Sequence, residues 1–200
     1  MSAVDAYSTR AQEYSDLLGS IDAMAPTDRH RIETWAAEVH GPILDAGCGP
    51  GHWTAHLASL GHDVEGLDPV PEFLDIARRA HPEVAYRAGS FGDLVHEPGR
   101  YGGVLAWYSL IHLDPVQVPE TLSILHDALR SGGTLLLGFF DGPCQEEFDH
   151  AVATAQYWPA AHMAELLGCA GFDVLEVEQR QDPGVRPHAA ITARRSGSQA

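Results

Sequence analysis

The stretch "ILDAGCGPGHW", residues 43–53, sets three glycines between an aspartate and an aromatic residue. Gly47, Gly49 and Gly51 lack β-carbons at the end of an apolar run, so the chain can turn sharply there and a ligand can touch bare backbone. The helix that begins beyond them offers free N–H groups. A dinucleotide fingerprint requires G-x-G-x-x-G, because its helix start faces a pyrophosphate. Here the third glycine comes one residue early and His52 follows it. Asp68, seventeen residues after Gly51 in "VEGLDP", is spaced to accept hydrogen bonds from both hydroxyls of a ribose. Loop and aspartate together suit a ribose-bearing ligand that brings no phosphate. A tight turn that binds nothing, with Asp68 merely ending a strand before Pro69, accounts for each feature alone and not for their spacing.

The elements that must hold these residues alternate. Apolar positions recur at helical spacing over 5–18 and 27–39, with Thr27 as a plausible N-cap. From residue 42 onward short apolar strands ("PILDAG", "DVEGLDP", "VAYRAG", "TLLLGFF") exchange with helical patterns, among them 51–61 and 70–81. "GGVLAWYSLIHL" reads as one long buried strand running into a turn, and 115–130 as a helix ending at Gly132. Such alternation implies a parallel sheet covered by helices on both faces. The runs "FDVLEVEQR" and "HAAITARR" are joined by a turn too short for a crossover helix, so they should pair antiparallel. Residues 141–158 break the short-loop rhythm and read as a cap inserted over a site. The 200 residues, 44% of them hydrophobic, show no composition shift and read as a single domain, with a small polar tail at "SGSQA".

At this point the chain resembles the class I S-adenosylmethionine-dependent methyltransferases, whose first two motifs have the form and separation of "LDAGCGPG" and "VEGLDP". The resemblance implies a Rossmann-like, doubly wound, mostly parallel seven-stranded sheet of order 3-2-1-4-5-7-6 with strand 7 antiparallel, and S-adenosylmethionine as the cofactor. It implies that Asp45, Gly47, Cys48, Gly49 and Gly51 line the methionine part, Asp45 holding its ammonium group. Asp68 would take the ribose and Pro69 would border the adenine. "GSFGDL" resembles the third motif, which implies Ser90 and Phe91 at the adenine edge and face. "AWYSLIHL" resembles the fourth, which implies Ala106 and Trp107 beside the sulfonium and His112 at the start of the next helix. "AYSTRAQEY" resembles the entry helix of the family, whose tyrosines, here Tyr7 and Tyr14, fold over the cofactor, so residues 1–40 become an N-terminal cap. The sequence departs from the family at "YGG", where the fourth strand often opens with an acidic residue.

His112 lies at the carboxyl edge of the sheet, where its neutral ring can serve as base, as helix cap or as orienter of an acceptor. Phe91 and Trp107 fit a cofactor wall or the core equally well. Tyr108, Asp141, His150, Tyr157 and Trp158 could line an acceptor pocket. Among twelve histidines only His52 and His56 lie four apart on one helix, with no third ligand nearby, so no metal site is expected. The formal charge of −16 opposes a nucleic-acid partner. All twelve basic residues are arginine, which excludes Schiff-base chemistry and a P-loop lysine and points to a GC-rich bacterial genome. Three scattered cysteines suit a reducing cytoplasm, and no long apolar run suggests a membrane span.

The expected reaction is methyl transfer to an O, N, S or C nucleophile of a small molecule. Its rivals are a cofactor-binding subunit without turnover, a cyclase of the same fold, and a nicotinamide-dependent oxidoreductase, the last disfavoured by His52. A homodimer is the default for a soluble enzyme of this size.

Overall fold

The computed structural model describes residues 3–197. The tail residues 198–200 lie outside the described residues. Two helices, α1 (Ala3–Leu18) and α2 (Pro26–Glu38), precede an alternation of strands and helices. It runs β1 (Ile43–Ala46), α3 (His52–Ser59), β2 (Val64–Asp68), α4 (Pro71–Ala80), β3 (Ala85–Ala88), β4 (Tyr101–Trp107), α5 (Val118–Ala128) and β5 (Leu129–Asp141). A short hairpin, β6 (Glu146–Phe148) and β7 (Ala155–Trp158), then leads through α6 (Ala160–Cys169) to β8 (Phe172–Arg180) and β9 (His188–Arg195). Ala25, not Thr27, is the N-cap of α2; Pro26 follows it at the helix start, where its missing N–H costs nothing.

Strands β1 to β5 are parallel and ordered β3-β2-β1-β4-β5. β9 joins β5 antiparallel and carries β8 outside it, also antiparallel. These seven strands therefore stand in the order that the resemblance implies. The detail that differs is the β6–β7 hairpin, which makes the sheet nine-stranded. β7 pairs with Phe140 and Asp141, beyond Trp107, where β4 has already left its neighbour. The long strand expected over 102–113 stops at Trp107 because Tyr108 has φ +54°, a left-handed conformation that a side chain rarely adopts.

Alternation along the strands sorts side chains between two cores. Ile43, Val64, Leu105 and Leu136 pack with Ile32, Trp35, Trp53 and Leu57 of α2 and α3. Leu44, Ala46, Leu67, Val104, Ala106, Leu135 and Leu137 pack on the other face with α5 and α6. Period two then puts Asp45, Trp107 and Asp68 on the α3 side and Ala106 on the opposite one. A third cluster seats α1 on α4, through Ala11, Val70 and Phe73 with Tyr7 and Tyr14 beside them.

Gly51 is a packing position. Its φ is +81°, and a β-carbon there would meet the ring of Tyr86 and the Ala77 methyl at 2.7 and 2.8 Å. Gly51→Ala should destabilise the protein by about 1–3 kcal/mol, from backbone strain and overpacking together. Urea unfolding should show a lower midpoint at unchanged slope; an unchanged midpoint would mean that the loop yields freely.

Candidate active site

A cavity of about 560 Å³ opens at the carboxyl ends of β1, β2 and β4. This is the edge where ligands bind in open α/β sheets. Its floor is the glycine loop. Gly47 and Cys48 donate their N–H groups to the Leu67 carbonyl at 2.7 and 3.1 Å, which ties the loop to β2. A β-carbon on Gly47 would fall 2.3 Å from that of Ser109, so glycine is the residue that lets the segment after β4 close on the loop.

Asp45 and Asp68 are 2% and 5% exposed. Thr54 Oγ1 donates to Asp45 Oδ2 at 2.7 Å. The Gly49 and Val70 N–H groups donate to Asp68 Oδ2 and Oδ1, each at 2.8 Å. Burial pushes Asp45 up to about 7, with the Thr54 bond opposing the rise and the charge of Asp68 adding to it. Burial also raises Asp68, to about 6, against the two backbone bonds. Cys48, buried beside both carboxyl groups, keeps its proton well above the usual thiol range and is no nucleophile. Among the described residues no arginine lines this cavity, so neither carboxylate faces a cation. Three further buried polar atoms of its lining, His52 Nδ1, Ser109 Oγ and His150 Nδ1, have no hydrogen-bond partner. Unpaired buried polar groups of this kind are costly without a ligand. A ligand that brings an ammonium group and hydroxyls fits them.

The other wall joins three distant pieces of chain. His112 Nδ1 is 2.8 Å from the Thr154 carbonyl, which can only accept, so that nitrogen carries the proton. Its Nε2 is then the acceptor, and Tyr7 Oη donates to it at 2.8 Å. Burial lowers the pKa of His112, with the Thr154 bond opposing, and raises that of Tyr7. Tyr14 meets Tyr7 edge-on at 5.4 Å. Tyr108 Oη is hydrogen-bonded with His188 Nδ1, and its ring lies 5.1 Å from Phe140.

Of the residues singled out in the sequence, Tyr7, Tyr14, Asp45, Gly47, Cys48, Gly49, Asp68, Pro69, Ser90, Phe91, Trp107, Tyr108, His112 and His150 line this one cavity. Gly51, Ala106, Asp141 and Tyr157 do not. Gly51 faces Tyr86, and Ala106 is turned to the other core by the strand alternation. Asp141 accepts from the Ala160 N–H at 3.1 Å and from Gln179 Nε2 at 2.7 Å, closing the start of α6. Tyr157 stacks on Phe148 at 4.2 Å and receives Arg186, while Trp158 stacks on His162. The cavity also takes in Asp28, Trp53, Phe73, Ser109 and His188, which were not singled out as site residues. Only Trp53, in the glycine stretch, and Ser109, in the fourth motif beside Tyr108, carried a signal in the sequence.

The two aspartates fix a sign for pH dependence. Each keeps its proton to higher pH in the fold than in the unfolded chain, where the group titrates near ~3.9. Their contribution to stability is full below about pH 4 and is lost as pH rises through about 6 for Asp68 and about 7 for Asp45. In thermal unfolding of the ligand-free protein, wild type should lose stability relative to Asp45→Asn between pH 4.5 and 7.5, by about 1 kcal/mol or more. A difference that stays flat would show that Asp45 ionises normally.

Comparison with known proteins agrees with this geometry. A methyltransferase-domain family model matches residues 43–133. An uncharacterized methyltransferase of Synechocystis sp. is 32% identical over 153 residues, 72% of this chain and 72% of that protein. The ubiquinone biosynthesis O-methyltransferase of Xanthomonas campestris is 31% identical over 165 residues, 77% of this chain; the match spans 66% of that relative, just under two thirds of its length. Among solved structures, the 1,6-didemethyltoxoflavin-N1-methyltransferase of Burkholderia thailandensis, crystallised with 1,6-didemethyltoxoflavin and S-adenosylhomocysteine bound, superposes with a TM-score of 0.71 at 24% identity, over 96% of this chain and 89% of that one. The [4+2]-cyclase SpnF superposes with a TM-score of 0.82 at 14% identity, over 98% and 97%. At such identities these two speak for the fold alone. Fold, glycine loop and sequence relatives together place the chain in the class I S-adenosylmethionine-dependent methyltransferase family.

Proposed function

We propose that the protein transfers a methyl group from S-adenosylmethionine to an O, N, S or C nucleophile of a small molecule. The observation that carries this reading is the pair of buried carboxylates, Asp45 and Asp68, set on either side of a glycine loop with no cation to meet them. Asp68 has a lone pair left on each oxygen after its backbone bonds, enough to accept from two ribose hydroxyls. Asp45, with Gly47, Cys48 and Gly49, would hold the methionine part, its charge facing the ammonium group. Pro69, Ser90 and Phe91 would border the adenine, and Trp107 would stand beside the sulfonium. Tyr7 and Tyr14 would close over the cofactor from α1.

S-adenosylmethionine brings a methyl group that is already electrophilic. What remains for the chain is to hold an acceptor in line at near-attack distance and to keep water out. His112 Nε2, kept as the acceptor nitrogen by Thr154, would take the proton of an acceptor O–H or N–H when Tyr7 Oη releases it. Residues 1–40 and 141–158 would act as two caps on one domain, the second carrying His150. The name of the Xanthomonas relative refers to O-methylation of a small molecule, which supports the acceptor class. No helix among the described residues is long and apolar enough to cross a membrane. The formal charge of −16 supports a reading without nucleic-acid partners; a bacterial cytoplasm and a homodimer are the default setting of that reading.

Calorimetry tests the cofactor. S-adenosylmethionine and S-adenosylhomocysteine should bind and NAD should not. Asp68→Asn should weaken binding about tenfold, roughly the loss of one hydrogen bond to a charged group. Failure of both adenosyl ligands to bind, or a preference for NAD, would remove the reading. Once an acceptor is in hand, His112→Gln should lower kcat about 100-fold with little change in KM and should flatten the acidic limb of the pH profile. A product whose mass lacks the added methyl group would assign the chain to a different reaction on the same fold.

A further inference from the structure

Along the wall of the cavity runs an arc of aromatic rings drawn from four separate stretches of chain. Tyr7 of α1 lies 5.2 Å from His112, His112 5.6 Å from His150, His150 5.6 Å from Phe140, Phe140 5.1 Å from Tyr108 and Tyr108 5.5 Å from Trp107. All six line the cavity. Rings at these separations meet edge to face and tilted, so a flat π-system entering among them finds both edges and faces to pack on. A saturated ring of the same outline finds only apolar surface.

The polar atoms on this arc are neutral. His112 Nε2 is a hydrogen-bond acceptor, and His150 Nδ1 is buried with no partner. Burial, with His112 and Arg186 nearby, pushes His150 down to about 4, and burial also lowers His112, so neither ring is a cation near pH 7.

Among the described residues, the ionisable groups of the lining other than its histidines, tyrosines and Cys48 are Asp28, Asp45 and Asp68, with no arginine among them. The nearby guanidinium groups are engaged elsewhere. Arg180 lies 2.8 Å from both Asp28 and Asp182. Arg186 is spread over Phe148 and bonded to Tyr157 Oη and the Asp149 carbonyl. Arg10 pairs with Glu13 at 2.6 Å and reaches the Ala151 carbonyl. A carboxylate, sulfonate or phosphate on an acceptor would therefore enter beside the buried carboxyl groups of Asp45 and Asp68 with no cation in the lining to pair with, against a chain whose formal charge is −16.

We infer that the acceptor is a planar aromatic or heteroaromatic molecule that enters uncharged and presents an acidic O–H or N–H to His112 and His150, and that anionic acceptors are rejected. This rests on the methyl-transfer reading and narrows it to a substrate class. His150 is then a residue that sets specificity, because its neutral ring occupies the place where a cation would be needed to admit an anion.

Three probes of one outline test this on the full chain loaded with S-adenosylhomocysteine: 2-naphthol, decahydro-2-naphthol and 2-naphthoate, titrated by calorimetry. 2-Naphthol should bind about threefold or more tighter than its saturated counterpart, the scale of one or two ring contacts, and at least about tenfold tighter than 2-naphthoate. His150→Arg should move the preference toward 2-naphthoate by about tenfold or more, the scale of one charge-assisted hydrogen bond. The inference is overturned if 2-naphthoate binds wild type as tightly as 2-naphthol, if the saturated probe binds equally, if 2-naphthol does not bind, or if His150→Arg leaves the ranking unmoved. S-adenosylhomocysteine failing to bind in the loading step would instead overturn the methyl-transfer reading, and this inference with it.

Discussion

Two carboxylates buried in one wall, without a cation to meet them, are the constraint around which the rest of the structure is arranged. Burying an unpaired charge is costly, and the fold lowers the cost in three ways. It gives Asp45 the hydroxyl of Thr54, it gives Asp68 two backbone N–H groups, and it lets both keep a proton well above the ordinary carboxyl range. The same contacts shape the floor of the cavity. The Gly49 N–H reaches Asp68 only because the loop turns back over β2, held there by the Leu67 carbonyl. Electrostatics and loop geometry are one device, and a ligand that carries an ammonium group and hydroxyls relieves it.

The sheet delivers this device by simple arithmetic. β1 and β2 run side by side in register, Asp45 opposite Gly66 and Ala46 opposite Leu67, so both carboxylates emerge at one edge. Gly66 keeps the space between them open, because a β-carbon there would press on Cys48, Tyr86 and Thr54. On β4 the alternation sends Trp107 toward the cavity side and Ala106 into the core shared with α5. β4 then ends on the strained backbone of Tyr108, which turns the chain across the glycine loop instead of along the sheet.

Much of this was legible in the sequence, because the parts that carry it are local. The glycine loop, the spacing to Asp68 and the terminal pair of strands rest on neighbours within a few residues, and the order of the seven main strands is the one that the family resemblance implies. What was not legible depends on which way a side chain faces or on contacts across the whole chain. Ala106 and Trp107 are adjacent in a motif, yet a strand can present only one of them to a given face. Gly51 looks like its two companions until Tyr86, thirty-five residues away, is seen to fill the space beside it. Asp141 and Tyr157 belong to a segment that reads as a cap. Asp141 is used to close the start of α6 and Tyr157 to close the hairpin, which leaves His150 to face the cavity. The bond from Tyr7 to His112 spans more than a hundred residues and has no sequence signature at all.

That bond makes a doorway and a proton acceptor out of one contact. His112 is held on one side by Thr154 and on the other by the hydroxyl of a helix that lies along the rim of the cavity. As long as α1 is seated, the imidazole nitrogen is covered and already satisfied. A molecule can hand its proton to that nitrogen only by taking the place of the Tyr7 hydroxyl, so the base is reserved for a donor that fits the same spot.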